Sequence, residues 1–175
     1  SALDEDVAMG AVLYPKAVPR PTRPGQDLSF LCELNHEEVI SIGSRNAGPI
    51  LRQIESVDRP SGGQPVFEAL AAARRLLTEA PWNERQRLIV LGNFGAPLCN
   101  SSIPQERCEC MEPVGDCWES LPHGISCNDV DRVETLIQTM RSEGIETFVI
   151  GMSCPASNFG VFIHNLDRMA IAGGL

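Results

Sequence analysis

The chain has 175 residues, 43% of them apolar, which suits one globular unit with a core of its own. Lys and Arg number 14 against 23 Asp and Glu, and the resulting charge of −9 is spread along the chain, which argues against a nucleic-acid or anionic-membrane partner. The longest apolar runs, such as residues 88–91 and 148–150, fall far short of the roughly 18 residues of a membrane span.

The chain opens Ser1-Ala2-Leu3-Asp4, without an initiator Met or a signal-like segment, and reads as a fragment of a longer protein. Residues 7–14 (VAMGAVLY) are β-prone, stop at Pro15 and predict a strand. Residues 17–27, with Pro19, Pro21, Pro24 and Gly25, predict a loop, and the short apolar run 39–42 an edge strand. From Pro49, the spacing of Ile50, Ile54 and Val57 predicts a short helix, broken at Ser61-Gly62-Gly63. A longer helix follows, its Val66, Ala69, Leu70, Ala73, Leu76 and Leu77 falling on one face.

The uninterrupted run 88–91 has the pattern of a parallel strand covered on both faces, ending at Gly92. Residues 95–128 form a loop too long to stay ordered in a compact domain without cross-links. Asn128 or Asp129 suits the N-cap of a helix with Val130, Val133, Leu136, Ile137 and Met140 on its buried stripe, and Gly144 the left-handed residue past its end. Residues 147–152 predict another buried strand, and 165–172 the start of a further helix. Alternating strands and helices of this kind indicate an α/β domain with a largely parallel sheet flanked by helices.

Seven cysteines are many for a cytosolic domain, and Cys99, Cys108, Cys110, Cys117 and Cys127 crowd into one stretch. Crowding of this kind favours disulfides and an oxidising compartment. A structural zinc site fits less well, because Cys108-Glu109-Cys110 is not a C-x2-C knuckle and no second spaced pair follows. The odd total leaves one thiol whose mate lies elsewhere or which is a free buried Cys such as Cys32.

Several segments in order resemble the von Willebrand factor type A (vWA) family. Gly62-Gly63-Gln64-Pro65-Val66 followed by Glu68-Ala69-Leu70 is similar to its GGTPT-x-x-AL turn and helix. Residues 88–97 (LIVLGNFGAP) resemble its IVLITDGxP strand and turn, residues 144–152 (GIETFVIGM) its GIxTYVIGI strand, and residues 165–174 its LDxMAxAGG segment. The Cys-rich insert at about 97–128 is similar to that of exported, sometimes lipid-anchored members from myxobacteria and their relatives.

The resemblance implies a doubly wound sheet that binds ligands at the carboxyl ends of its strands. It also implies that residues 1–175 are one incomplete domain, lacking the family's central first strand and its C-terminal strand and helix, and unstable in isolation. In the family a magnesium-type cation is held at that rim by an Asp-x-Ser-x-Ser turn, a Thr and an Asp, with one position open to an acidic group of the partner. Here Gln64 stands at the Thr position and Phe94 at the Asp position, so the metal-ion-dependent adhesion site reads as degenerate.

The expectation is a non-catalytic, exported protein-interaction module without a cofactor, whose binding face includes Gly63, Gln64, Asn93, Phe94, Met111 and Trp118. Met111 and Trp118 are either partner-binding anchors or a small local core under the loop. The alternatives are a divergent magnesium-dependent adhesin and, more remotely, thiol-disulfide chemistry at Cys108-Glu109-Cys110, where neighbouring carboxylates would raise the thiol pKa values. Glu106, Glu109, Glu112 and Asp116 read as a solvated acidic face, with a calcium site as the rival. His36, His123 and His164 are scattered in loop-like contexts and suit the surface.

Overall fold

The computed structural model describes residues 6–15, 32–34, 39–57, 63–79, 86–94, 96–100, 127–152 and 160–174. Their elements in chain order are β1 (Met9–Val12), β2 (Val39–Gly43), α1 (Ala47–Ser56), α2 (Val66–Glu79), β3 (Arg87–Phe94), α3 (Val130–Ser142), β4 (Ile145–Met152) and α4 (Gly160–Gly173). The class is mixed α/β, as the alternation of periods predicts. Among the described residues the strands form two separate pairs, β1 antiparallel to β2 and β3 parallel to β4.

The β3–β4 pair runs in unbroken register from Arg87 opposite Ile145 to Phe94 opposite Met152. Parallel neighbours need a crossover, and α3 lies within the connection between them. All five predicted stripe residues of α3, Val130, Val133, Leu136, Ile137 and Met140, are buried. They form the core with Val66 and Leu70 of α2, Ile89 and Leu91 of β3, Ile145 of β4, and Leu166, Met169 and Ala172 of α4. Each Val, Leu, Ile and Met among them contributes about 1.5–3 kcal/mol by leaving water.

Two helices begin earlier than the periodicity suggests. Helix α1 starts at Ala47, before Pro49, because Pro is compatible with a first helical turn. Asn46 precedes it, and its side-chain amide donates to the carbonyls of Met9 (2.7 Å) and Ser41 (2.8 Å), tying the helix start to β1 and β2. None of the residues of α1 is buried, so its apolar spacing reflects an amphipathic helix whose Leu51 and Ile54 face outward. Helix α4 starts at Gly160, five residues ahead of the predicted 165, and places His164 on an exposed helix face, not in a loop.

The greatest departure concerns β3. The run 88–91 predicts cover on both faces, but Ile89 and Leu91 are buried while Leu88 and Val90 are 45% and 59% exposed. Strand β4 repeats the alternation, with Ile145 and Thr147 buried and Phe148, Ile150 and Met152 about half exposed. Helices α3 and α4 pack on the inner side of β4, and among the described residues the outer face of β3–β4 remains open. Strand β3 also runs past Gly92 to Phe94, two residues beyond the predicted end.

Ion pairs bridge the helices at the surface. Arg168 of α4 reaches Asp131 and Glu134 of α3, both at 2.5 Å. Arg74 of α2 grips the Glu143 carboxylate with two bonds while Arg87 of β3 donates to the Glu143 carbonyl. Partly exposed pairs of this kind each contribute of the order of 0–1 kcal/mol.

Close packing of α4 on β4 depends on a glycine. A Cβ at Gly173 would lie 2.1 Å from the backbone oxygen of Thr147, whereas one at Gly151 would meet only the flexible tip of Leu166 at 2.6 Å. Gly173→Ala should therefore cost at least about 2 kcal/mol in urea unfolding, and Gly151→Ala clearly less, because backbone cannot yield as a side-chain tip can. Equal costs would contradict this packing.

The Arg74 hydrogen bond holds the Glu143 carboxyl below its ordinary value of 4.5, with Arg87 adding to the effect. A depressed acid stabilises the fold above its unfolded pKa and loses that contribution as pH falls through the folded value. Thermal melts from pH 7 down to about 3 should accordingly show a shallower acid decline for Glu143→Gln than for the parent chain.

Candidate functional site

The carboxyl end of β3 is where the sequence places a binding face, and several chain segments converge there. Backbone bonds run from Leu98 N to Gln64 O (3.3 Å) and from Asp129 N to Pro97 O (2.9 Å), joining the start of α2, the segment after β3 and the start of α3. Asn165 of α4 donates to the Asn128 side chain at 3.3 Å. Tyr14, just past β1, donates its hydroxyl to Gly92 O at 3.2 Å and lies 3.4 Å from Asn93 Oδ1. Burial raises the Tyr14 phenol well above its usual pKa, so it remains a donor.

A charged network occupies this rim. Asp129, its side chain 2% exposed, accepts from Arg132 Nε at 2.8 Å and from the Asn100 side chain. Arg132 also donates to Glu68 Oε1 at 2.9 Å and to Cys99 O at 3.2 Å, and its guanidinium lies 3.9 Å from the centre of the Phe67 ring. Burial pushes the Asp129 carboxyl above its ordinary range, and hydrogen bonds from Arg132 and Asn100 pull it back. Asp129 occupies the predicted N-cap position but makes no side-chain cap bond; the Asn128 side chain receives the Val130 N–H instead, at 3.2 Å. The reason is competition, because a charge-assisted bond to Arg132 is stronger than a cap bond.

Of the residues expected to bind, Gly63 and Asn93 are buried at this rim and Gln64 is half-buried beside them. Phe94 ends β3 at the same rim, whereas Met111 and Trp118 lie outside the described residues. Gln64 Oε1 and Glu68 Oε2 are buried oxygens without a hydrogen-bond partner among the described residues.

Cys108, Cys110 and Cys117 also lie outside the described residues, as do His36, His123, Glu106, Glu109, Glu112 and Asp116. Cys99 is bonded to Cys32, across 67 residues, and Cys127 is disulfide-bonded as well. Cys32 is therefore no free thiol, which removes one of the two alternatives that the odd cysteine count left open. The partnership is set by tertiary proximity, with the two Cα atoms 5.4 Å apart, and the crowding of the other cysteines concealed it.

The unpartnered oxygens of Gln64 and Glu68 suit a cation, but the other donors described at the rim do not. The Asp129 carboxylate is taken up by Arg132 and Asn100, and Phe94 brings no oxygen. Among the described residues no group of three or more His, Cys, Asp or Glu side chains is arranged to hold a metal. The described residues alone do not supply the several oxygen ligands in octahedral array that a magnesium-type ion needs.

Sequence reasoning missed Arg132, Glu68, Asn100 and Tyr14 as rim residues. Only the Asp129–Arg132 spacing of three within one helical turn carried a signal for their pairing. Comparison with family models, curated proteins and solved structures finds no match to this chain.

Because Arg132 neutralises a buried carboxylate, removing it should leave that charge stranded. Arg132→Met is expected to cost about 3–5 kcal/mol in urea unfolding at pH 7. An acid whose folded pKa is raised destabilises the ionised fold, so this loss should shrink as pH falls and Asp129 takes a proton. Adding Asp129→Asn to the Arg132→Met chain should recover much of the loss; a double variant no better than the single one would refute the pairing.

Proposed function

We propose that the chain is a non-catalytic, metal-independent protein-interaction module of the vWA type, carried by an exported protein. The observation that supports this most directly is the self-pairing of the rim: Arg132, Asp129, Glu68 and Asn100 bind one another, so their charge is spent on structure. A catalytic site keeps a nucleophile or base free to meet substrate, and a metal-dependent adhesion site keeps carboxylates free for the ion. Neither condition suits this network.

The order of elements supports the doubly wound reading, with β3, α3 and β4 forming a parallel crossover unit and the rim at the strands' carboxyl ends. Joined cysteines at 32 and 99 and a bonded Cys127 support an oxidising compartment, and hence export. No helix among the described residues is long and apolar enough to cross a membrane, which leaves anchoring to another device or none.

A second reading, the divergent magnesium-dependent adhesin, is favoured by the unpartnered Gln64 Oε1 and Glu68 Oε2. Calorimetry and thermal melts with magnesium, manganese and calcium at about 1 mM separate the two. The metal-independent reading expects no saturable heat and an unchanged Tm with each ion. Micromolar binding that disappears in Gln64→Ala would replace it with the adhesin.

A further inference from the structure

We propose that the cleft at the amino end of β3 binds a phosphate or sulfate group, free or carried on a small molecule, between Arg74, Arg75 and Arg87. This goes beyond the metal-independent reading and does not rest on it, because the cleft lies at the end of β3 opposite to the rim.

The helical period builds one wall. Ala71, Arg74, Arg75 and Thr78 fall one helical turn apart along a single face of α2. Arg87, the first residue of β3, and Glu143, the residue after α3, supply the other wall. Together they line an open cleft of about 390 Å³, which lies in the size range of small-molecule sites and exceeds what a bare oxyanion needs.

Charge is the second observation. The cleft sets three guanidinium groups against one carboxylate, in a chain whose net charge is −9. The carboxyl ends of α2 and α3 bring about half a negative charge each, which still leaves roughly one positive charge unbalanced. Among the described residues Arg74 pairs with Glu143, Arg87 donates only to the Glu143 backbone oxygen, and Arg75 has no ion-pair partner.

The third observation is that two of these cations are already fixed. The Glu143 carboxylate takes two bonds from Arg74, and its carbonyl takes one from Arg87. A guanidinium carries five N–H donors, so both keep donors to spare for an anion. Glu143 stays charged at neutral pH because Arg74 holds its carboxyl below the ordinary value. Gly144 leaves room for this brace, since a Cβ there would stand 3.4 Å from Arg87 Nη2. Side chains held before a ligand arrives lose little further freedom on binding it.

These features select the occupant. A long polyanion would meet the rest of an acidic surface, whereas a small oxyanion meets the cleft alone, charges beyond about 8 Å being screened in physiological salt. A tetrahedral group directs several oxygens at once toward guanidinium forks on two walls. A carboxylate is flat, offers two oxygens and carries less charge. Glu143 is the one described carboxylate that lines the cleft, and it is already engaged.

The 175-residue chain is titrated with inorganic phosphate at about pH 7, against sodium chloride of equal ionic strength, while NMR follows backbone amides and arginine Nε–H groups. The expected result is saturable shifts at Arg74, Arg75 and Arg87, half complete at about 1 mM or below. Sulfate should act alike, and acetate at least about tenfold more weakly. A hexose phosphate that binds at least about threefold tighter identifies a phosphorylated small molecule as the source, and equal binding identifies the free ion. Arg75→Gln should weaken phosphate about tenfold, the loss of a charged hydrogen bond, and keep the Tm of the free chain because residue 75 is exposed. Arg52→Gln, an equal loss of charge on α1, should leave binding unchanged. Shifts no larger than those of chloride, acetate as strong as phosphate, or equal weakening by the two variants overturns the site. A lowered Tm in Arg75→Gln overturns it too, because another group of this chain would then hold that arginine.

Discussion

The guanidinium of Arg132 holds the carboxyl end of the sheet together. Its partners come from α2, from the start of α3 and from the backbone beyond β3, and it lies over the ring of Phe67. A buried carboxylate such as Asp129 could not be kept out of water otherwise, because an unpaired ion in a low-dielectric interior costs several kcal/mol. The planar fork of arginine suits this task, since it donates to several acceptors at once without reorganising. With that cation in place, three polar chain segments can meet where an apolar core would otherwise be needed.

A consequence is that Arg132, Asp129 and Asn100 at the rim are paired with one another. Its acidic groups are directed inward, and the oxygens left over, Gln64 Oε1 and Glu68 Oε2, are buried. Recognition by such a surface would rest on shape and on apolar contact, and the largest apolar surface among the described strands is the outer face of β3–β4. The two surfaces meet at the end of β3, where Asn93 turns into the core and Gly92 is exposed.

Much of the fold was legible from spacing. The α3 stripe from Val130 to Met140 follows from the helical period and is buried at all five positions, and Gly144 adopts the predicted left-handed backbone with φ of 77°. Helix α2 is also where the period puts it, with Val66, Ala69 and Leu70 of the predicted stripe buried, Ala73, Leu76 and Leu77 half-buried, and Ala72 buried beside them. The limits of α4 were less legible, because Gly160 carries no capping signal. The candidate site was legible only in outline. The bonds that build it were not, because Arg132 and Glu68 stand 64 positions apart and Asn100 and Asp129 29.

Sequence by itself determined what each segment is, because hydrophobic period, turn residues and capping are local properties of the chain. It determined that the run 88–91 would be a strand. Tertiary structure alone decided which partners these segments have: that Cys32 meets Cys99, that Arg132 is spent on Asp129, and that only one face of β3 is covered. The physical reason is that pairing and burial depend on distances between residues far apart in the chain, which periodicity does not encode.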